Sequence, residues 1–319
     1  MTTTKHILIT GANGYIGRLL GQHLSKDETC KVIGIDISSP SSALSFPIEQ
    51  MDIRSNDLTQ FVAKHQITHI VHLASIVSPG KDEALEYDID VNGTKNVIQA
   101  CLNNHVQHLT VTSSGAAYGY HADNPEWISE SDPLRGNEAF SYSRHKRLVE
   151  QALESFTQTQ GTTQVLVLRP CTVLGATTQN KITALFDRKR ILAVGSSNSP
   201  FVFIWDNDLV HALAFGALNS KSGAYNLAGD GKLTVQQLAA IMKKPVQRVP
   251  AFVLKLALWV GYKLGLASAK PEQVMFLQYR PVLSNKKLKS EFGYQPQKTT
   301  KEVFELFWRH RQQQSQTND

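Results

Sequence analysis

Ile7-Leu8-Ile9-Thr10-Gly11-Ala12-Asn13-Gly14-Tyr15-Ile16-Gly17 decides the fold of this chain. A short β-branched and Leu-rich run passes directly into three glycines, each three residues after the last. The run reads as a buried strand, and residues 15–25 that follow read as an amphipathic helix. Glycine is demanded between them on steric grounds. The turn takes backbone angles that side chains resist, and the main chain must come close to a ligand. The start of the helix then offers free N–H groups and a partial positive charge, which suit a pyrophosphate. A glycine triplet alone also fits an ordinary tight turn. Its position between a strand and a helix makes it a dinucleotide loop, with Gly11, Asn13, Gly14, Tyr15, Ile16 and Gly17 as cofactor contacts. The next apolar run ends Ile33-Gly34-Ile35-Asp36. A carboxylate there holds the adenosine ribose hydroxyls and repels a 2′-phosphate. No Lys or Arg follows directly, so NAD is the expected cofactor; Ser38 and Ser39 leave NADP open.

Working outward, β-branched and Leu-rich runs at residues 32–35, 70–73, 109–112 and 165–168 alternate with helical stretches at 56–65, 93–104 and 143–156. Strand and helix in turn, with crossovers of this length, imply right-handed βαβ units. The expected fold is therefore α/β, a Rossmann-type doubly wound parallel sheet. After Pro170 helical stretches dominate, and one more strand candidate stands at 201–205. The expected division is an NAD-binding domain over 1–170, its sheet completed by 201–219. A smaller, mostly helical substrate-binding region takes 171–200 and 220–311, and a polar tail 312–319.

The composition excludes several classes. With 319 residues, 41% hydrophobic and 19% charged, the chain can bury a large core and is neither disordered nor of low complexity. Cys30, Cys101 and Cys171 are an odd count without metal-ligand spacing, which fits a reducing compartment. The net charge of +6 is mild, and no dense basic run with interleaved aromatics suggests nucleic acid. Residues 1–5 are polar and the apolar run after them is too short for a secretory signal, so a cytoplasmic protein is expected. Residues 249–267 come nearest to a membrane span, but Lys255, Lys263, Pro250, Gly261 and Gly265 interrupt them, so stable insertion is not expected.

Tyr142-Ser143-Arg144-His145-Lys146 places Tyr142 and Lys146 at i and i+4, on one helix face. A free tyrosine titrates near 10 and is a poor base at neutral pH. A neighbouring ammonium and the positive nicotinamide ring favour the phenolate; lowering its pKa by about three units takes roughly 4 kcal/mol. Lys146 can also bind the cofactor ribose. The spacing alone is common: Tyr294 and Lys298 share it, with Pro296 between them against a helix. Thr112-Ser113-Ser114, at the end of the 109–112 strand, supplies the pair's company. A hydroxyl there can bond a substrate oxygen and share the proton transfer, although serines at a strand end are more often caps or turns.

Together these residues resemble a family. Gly11-x-x-Gly14-x-x-Gly17, Asp36, Asp52-Ile53-Arg54, His72-Leu73-Ala74-Ser75, Asn92-Gly93-Thr94, Ser113-Ser114 with Tyr118-Gly119, Tyr142-x-x-x-Lys146, Arg169-Pro170 and Asp208 follow its order. Tyr225-Asn226-Leu227-Ala228 and Phe292-Gly293-Tyr294-Gln295-Pro296 match later on. The chain resembles an extended short-chain dehydrogenase/reductase of the NAD-dependent epimerase/dehydratase type. The resemblance implies a catalytic triad of Ser114, Tyr142 and Lys146, with Ser114 the better match than Ser113. It implies that Tyr15 and Ile16 touch the pyrophosphate through the backbone, and that Asp52 and Ile53 hold the adenine. Leu73, Ala74 and Ser75 would line the cofactor and Pro170 would sit by the nicotinamide. It also implies a homodimer built through helices 93–104 and 143–156.

Departures bear on the substrate. Sugar-nucleotide epimerases of this family carry an Asn where Thr172 stands and an Arg near Phe201; both serve the substrate pyrophosphate. Arg188, Lys189, Arg190 or Arg280 are possible substitutes. Gly115 and Ala116 replace the acidic pair of the dehydratase branch, which disfavours dehydration. Residues 249–267 read first as a core-packing helix, then as a wall for an apolar substrate, then as a membrane-surface contact. His65, His69 and His72 straddle a helix end and a strand, and no metal is expected. The leading expectation is an NAD(P)-dependent oxidoreductase interconverting an alcohol and a ketone. The alternatives are a sugar-nucleotide epimerase and a non-catalytic NAD-binding regulator.

Overall fold

The apolar runs pair as parallel neighbours. In the computed structural model, which describes residues 4–77, 80, 82–159, 162–180, 182–265 and 271–317, the chain begins β1 (Lys5–Thr10), α1 (Tyr15–Leu24), β2 (Cys30–Asp36), β3 (Ile48–Gln50), α2 (Leu58–Lys64) and β4 (His69–His72). It continues with α3 (Glu83–Tyr87), a π-helical turn (Asp88–Asn92), α4 (Gly93–Asn103), β5 (His108–Thr112), α5 (Ser141–Thr159) and β6 (Gln164–Pro170). Then come β7 (Thr172–Leu174), α6 (Thr183–Phe186), β8 (Ile191–Val194), β9 (Phe203–Trp205), α7 (Asp206–Leu218), β10 (Gly223–Leu227) and α8 (Val235–Met242). β11 (Val246–Val249), α9 (Ala251–Lys263), α10 (Val274–Gln278) and α11 (Thr300–Thr317) complete the series.

One seven-stranded parallel sheet has the order β10-β6-β5-β4-β1-β2-β3. The order reverses beside β1, which opens a crevice at the carboxyl ends of the strands. Alternation along β1 explains the two faces. Ile7 and Ile9 point to a core shared with Leu20 and Leu24 of α1 and Leu209 and Leu213 of α7. Leu8 points to the opposite core, shared with Val97 of α4 and Val149 and Leu153 of α5.

The chain beyond Pro170 differs from the expected layout in three places. The 201–205 strand lies outside the main sheet: β9 pairs with β7, and the seventh main strand is β10. β10 is hard to read because it carries Asn226, which is buried; its side chain donates to Ile128 O at 3.0 Å and accepts from the Tyr118 hydroxyl at 2.8 Å. The polar tail continues α11 as far as Thr317, and Gln314 donates to Ala176 O at 3.1 Å; Asn318 and Asp319 lie outside the described residues. The 249–267 stretch does form a helix over Ala251–Lys263, but none of its residues is buried. Core packing is thereby overturned: the helix is apolar nearly all round, and among the described residues no second layer lies over its outer side. Leu266 and Ala267 lie outside the described residues.

Candidate active site

The carboxyl ends of the central strands open into a cavity of about 1090 Å3. Gly11, at φ +68°, needs its freedom twice over, because a Cβ there would stand 2.7 Å from Ala74 N. Gly14 N donates to Gly11 O at 3.1 Å, and a Cβ on Gly17 would run into Gly11 O and lie 2.8 Å from Ala12 Cα. No side chain caps the helix that starts at Tyr15. Its first N–H groups therefore face the cavity available to an anion, so the cradle fits the pyrophosphate of NAD.

Asp36 stands at the rim. Its carboxylate accepts from Asn13 N at 3.0 Å, and from the backbone N–H and hydroxyl of Ser38 at 3.0 and 2.9 Å. Asn13 thus acts one step back from the cavity: its side chain ties down Ser38 and Ser39 while its backbone orients Asp36. Asp36→Ala should raise the KM for NAD about tenfold or more and narrow the preference over NADP. Initial rates with both cofactors check this.

Asp52 and Ile53 line the next part of the trough, followed by Leu73, Ala74 and Ser75; Pro170 lines the far end. Arg54 bonds to Asp52 at 2.6 Å and holds its carboxyl below the usual range. Arg54 also reaches Asp88 at 2.8 Å. The Asp52 carboxylate, expected at the adenine end, is therefore partly engaged already.

Ser114, Tyr142 and Lys146 meet at the cavity wall. Ser114 Oγ accepts from Ala116 N at 3.1 Å, and its own hydroxyl hydrogen-bonds to Tyr142. Ser113 is spent elsewhere, since its hydroxyl donates to Glu150. Lys146 Nζ donates to Thr112 O at 3.1 Å and lies 5.8 Å from the centre of the Tyr142 ring. Burial pushes Tyr142 up to about 12, the Ser114 hydroxyl pulls it back, and Asp90 pushes it further. Burial pulls Lys146 down, opposed by the charges of Asp90 and Glu150.

Asp90 and Glu150 are functional neighbours that the sequence does not single out. Asp90 lies in the π-helical turn and is buried. Burial raises its pKa, but His145, Lys146 and Ile76 N together hold it below the usual range. Glu150 sits one turn beyond Lys146 on the same helix face, a spacing that could have pointed to it. It forms a buried pair with Arg169 at 2.6 Å, and Arg169 donates to the Tyr118 hydroxyl at 2.7 Å. The three histidines do not converge. His72 bridges Thr10 and Thr94 at 2.7 and 3.0 Å, and burial drops it to about 3; His69 bonds Thr68 at 2.8 Å.

Beyond Ser114, Tyr142 and Lys146 the cavity lining turns largely apolar. Tyr120, Phe140 and Phe276 form an aromatic wall beside Tyr142, with ring centres 4.9 to 6.1 Å apart in neighbouring pairs. Leu254 and Leu258 of α9 and Val274 and Leu277 of α10 extend the apolar lining. Thr172 and Phe201 both reach the cavity. Of the basic candidates, Arg188 and Arg280 line it, and Lys189 and Arg190 do not. Arg280 stacks on Phe201 at 3.8 Å and donates to Ser199 O at 2.9 Å; burial lowers it to about 9.

A parallel sheet with this glycine cradle, a carboxylate at its rim and this chamber belongs to an NAD-dependent enzyme of oxidoreductase type. The chain belongs to the NAD dependent epimerase/dehydratase family, whose model matches residues 7–228. It is 30% identical over 234 residues to short-chain dehydrogenase/reductase family 42E member 1 of Xenopus laevis, covering 67% of this chain and 59% of that protein. It is 23% identical over 273 residues to an Escherichia coli O157:H7 N-acetyl-alpha-D-glucosaminyl-diphospho-ditrans,octacis-undecaprenol 4-epimerase, covering 82% and 80%. The solved UDP-glucose 4-epimerase of Thermus thermophilus, in complex with NAD, shares the fold with a TM-score of 0.73 at 20% identity, covering 96% and 98%.

Proposed function

We propose that this protein oxidises or reduces an apolar secondary alcohol or ketone with exchangeable NAD. The observation that carries this reading is the chamber beyond Tyr142, walled by Tyr120, Phe140 and Phe276, with Phe201 in the region where a pyrophosphate-binding arginine is expected of an epimerase. Ser114 donates to the substrate oxygen. Tyr142 takes up or returns the hydroxyl proton, and Lys146 favours the phenolate and grips the cofactor ribose. The cofactor, when bound, would accept the hydride as NAD in oxidation and give it back as NADH in reduction. The protein's part is geometry and a water-poor electrostatic setting. The free thiols of Cys30, Cys101 and Cys171 fit a cytoplasmic setting. A homodimer through α4 and α5 belongs to the same reading, and sedimentation tests it.

A second reading, a sugar-diphosphate epimerase, is favoured by Arg188 and Arg280 at the cavity and by the name of the Escherichia coli relative. The nucleotide released from freshly purified, dialysed and denatured protein separates the two. Empty protein that binds NAD reversibly and turns over hydrophobic secondary alcohols is the expected result. Near-stoichiometric retained NAD, with a thermal shift from UDP, would replace this reading with the epimerase. Retained NADP would contradict the role given to Asp36.

A further inference from the structure

We infer that the outer face of α9 docks the enzyme onto an anionic lipid bilayer, placing the substrate chamber against the membrane surface. This stands apart from the proposed reaction and does not depend on the substrate's identity. A helix that is apolar on every side is normally buried. α9 is not: Phe252 is 72% exposed, Leu256 60%, Trp259 52% and Leu264 65%. Its half-buried positions, Ala251, Leu254, Leu258 and Gly261, recur every three or four residues and form the inner side. Two of them, Leu254 and Leu258, line the active-site cavity. One helix therefore presents apolar side chains to the chamber and to the outside.

Charge selects the occupant. From Gly231 to Pro271 the sequence contains no Asp or Glu, while Lys232, Lys243, Lys244, Arg248, Lys255, Lys263 and Lys270 are basic. A protein partner would need an acidic and apolar surface of matching shape, whereas an anionic bilayer offers both properties without shape. Trp259 and Tyr262 are the amphipathic aromatics that favour the headgroup level, and basic residues near the surface add attraction to anionic lipid. Thirteen residues span only about 20 Å, short of the roughly 30 Å hydrocarbon core, so the helix would lie in the interface. No helix among the described residues is long and apolar enough to cross a membrane.

Flotation of the full-length, NAD-loaded protein with two kinds of vesicle tests this. One is phosphatidylcholine alone and the other phosphatidylcholine with phosphatidylglycerol. The protein should float with the mixed vesicles, and salt should weaken binding. Leu256→Glu/Trp259→Glu should cut partitioning about tenfold or more, with NAD binding and thermal unfolding unchanged as controls for folding. Lys255→Glu/Lys263→Glu should remove the preference for phosphatidylglycerol. The inference is overturned if the wild type floats with neither vesicle, or if Leu256→Glu/Trp259→Glu floats as well as the wild type. It is equally overturned if sedimentation shows that this variant breaks an oligomer whose wild-type form ignores vesicles, because a second copy then covers the helix.

Discussion

Tyr142→Phe should lower turnover by about a hundredfold to ten-thousandfold and leave NAD affinity nearly unchanged. Only one oxygen is lost: the ring keeps its place beside Phe140, 6.1 Å away between centres, and none of the cradle contacts involves it. What disappears is the group proposed to exchange the substrate's proton. Burial pushes that phenol up to about 12, so in the protein alone less of it is phenolate at neutral pH than for free tyrosine. In the proposed reaction the Lys146 ammonium, 5.8 Å from the ring centre, is the group that would offset part of this. In the direction of alcohol oxidation the phenolate is the active form, so the rate rises with pH through the pKa of Tyr142. Lys146→Met removes a positive charge beside the ring, which raises that pKa and moves the rising limb to higher pH. Steady-state rates across pH, together with NAD titration of each variant, check both statements. A Tyr142→Phe protein that keeps most of its activity would remove Tyr142 from the chemistry, and a wild type with no turnover on any alcohol or ketone would favour the regulator reading.

How far the sequence can be read depends on how local each signal is. The glycine loop, Asp36 and the Tyr142–Lys146 spacing are each set within a few residues, by backbone sterics or one helical turn, and the structure places all of them at one cavity. Central strands are legible because burial on both faces makes them continuous apolar runs. β10 is not, because its Asn226 is satisfied by Tyr118 and Ile128, which are remote in sequence. Asp90 escapes a sequence reading, and Arg280 goes unplaced, for the same reason. A carboxylate behind Lys146 and a guanidinium on Phe201 are facts of long-range packing that no period reveals. Helix α9 misleads in the opposite way: its composition matches a core helix, and only the fold shows that none of its residues is buried.

Arg169→Met should cost about 3–5 kcal/mol of stability, the largest loss expected from any single change near the site. Glu150 and Arg169 have side chains only 5% and 7% exposed, and they are joined by three nitrogen–oxygen contacts of 3.0 Å or less. Two further groups depend on them. Ser113 donates to Glu150, and Arg169 donates to the Tyr118 hydroxyl, which passes the chain on to Asn226 at 2.8 Å. The network therefore ties the end of β5, α5, β6 and β10 together directly behind the triad. Removing the guanidinium leaves a buried carboxylate with one hydroxyl donor, and that uncompensated charge, more than the lost attraction, accounts for the penalty. Glu150→Leu/Arg169→Met should recover most of the loss, because an apolar pair of similar volume strands no charge. Urea unfolding of the two single variants and the double variant closes the cycle. If the penalties add, the pair is not coupled and the destabilisation comes from packing. If the double variant recovers stability but loses turnover, the pair is there to hold the triad: Glu150 anchors Ser113, the neighbour of Ser114, and its charge acts on Lys146.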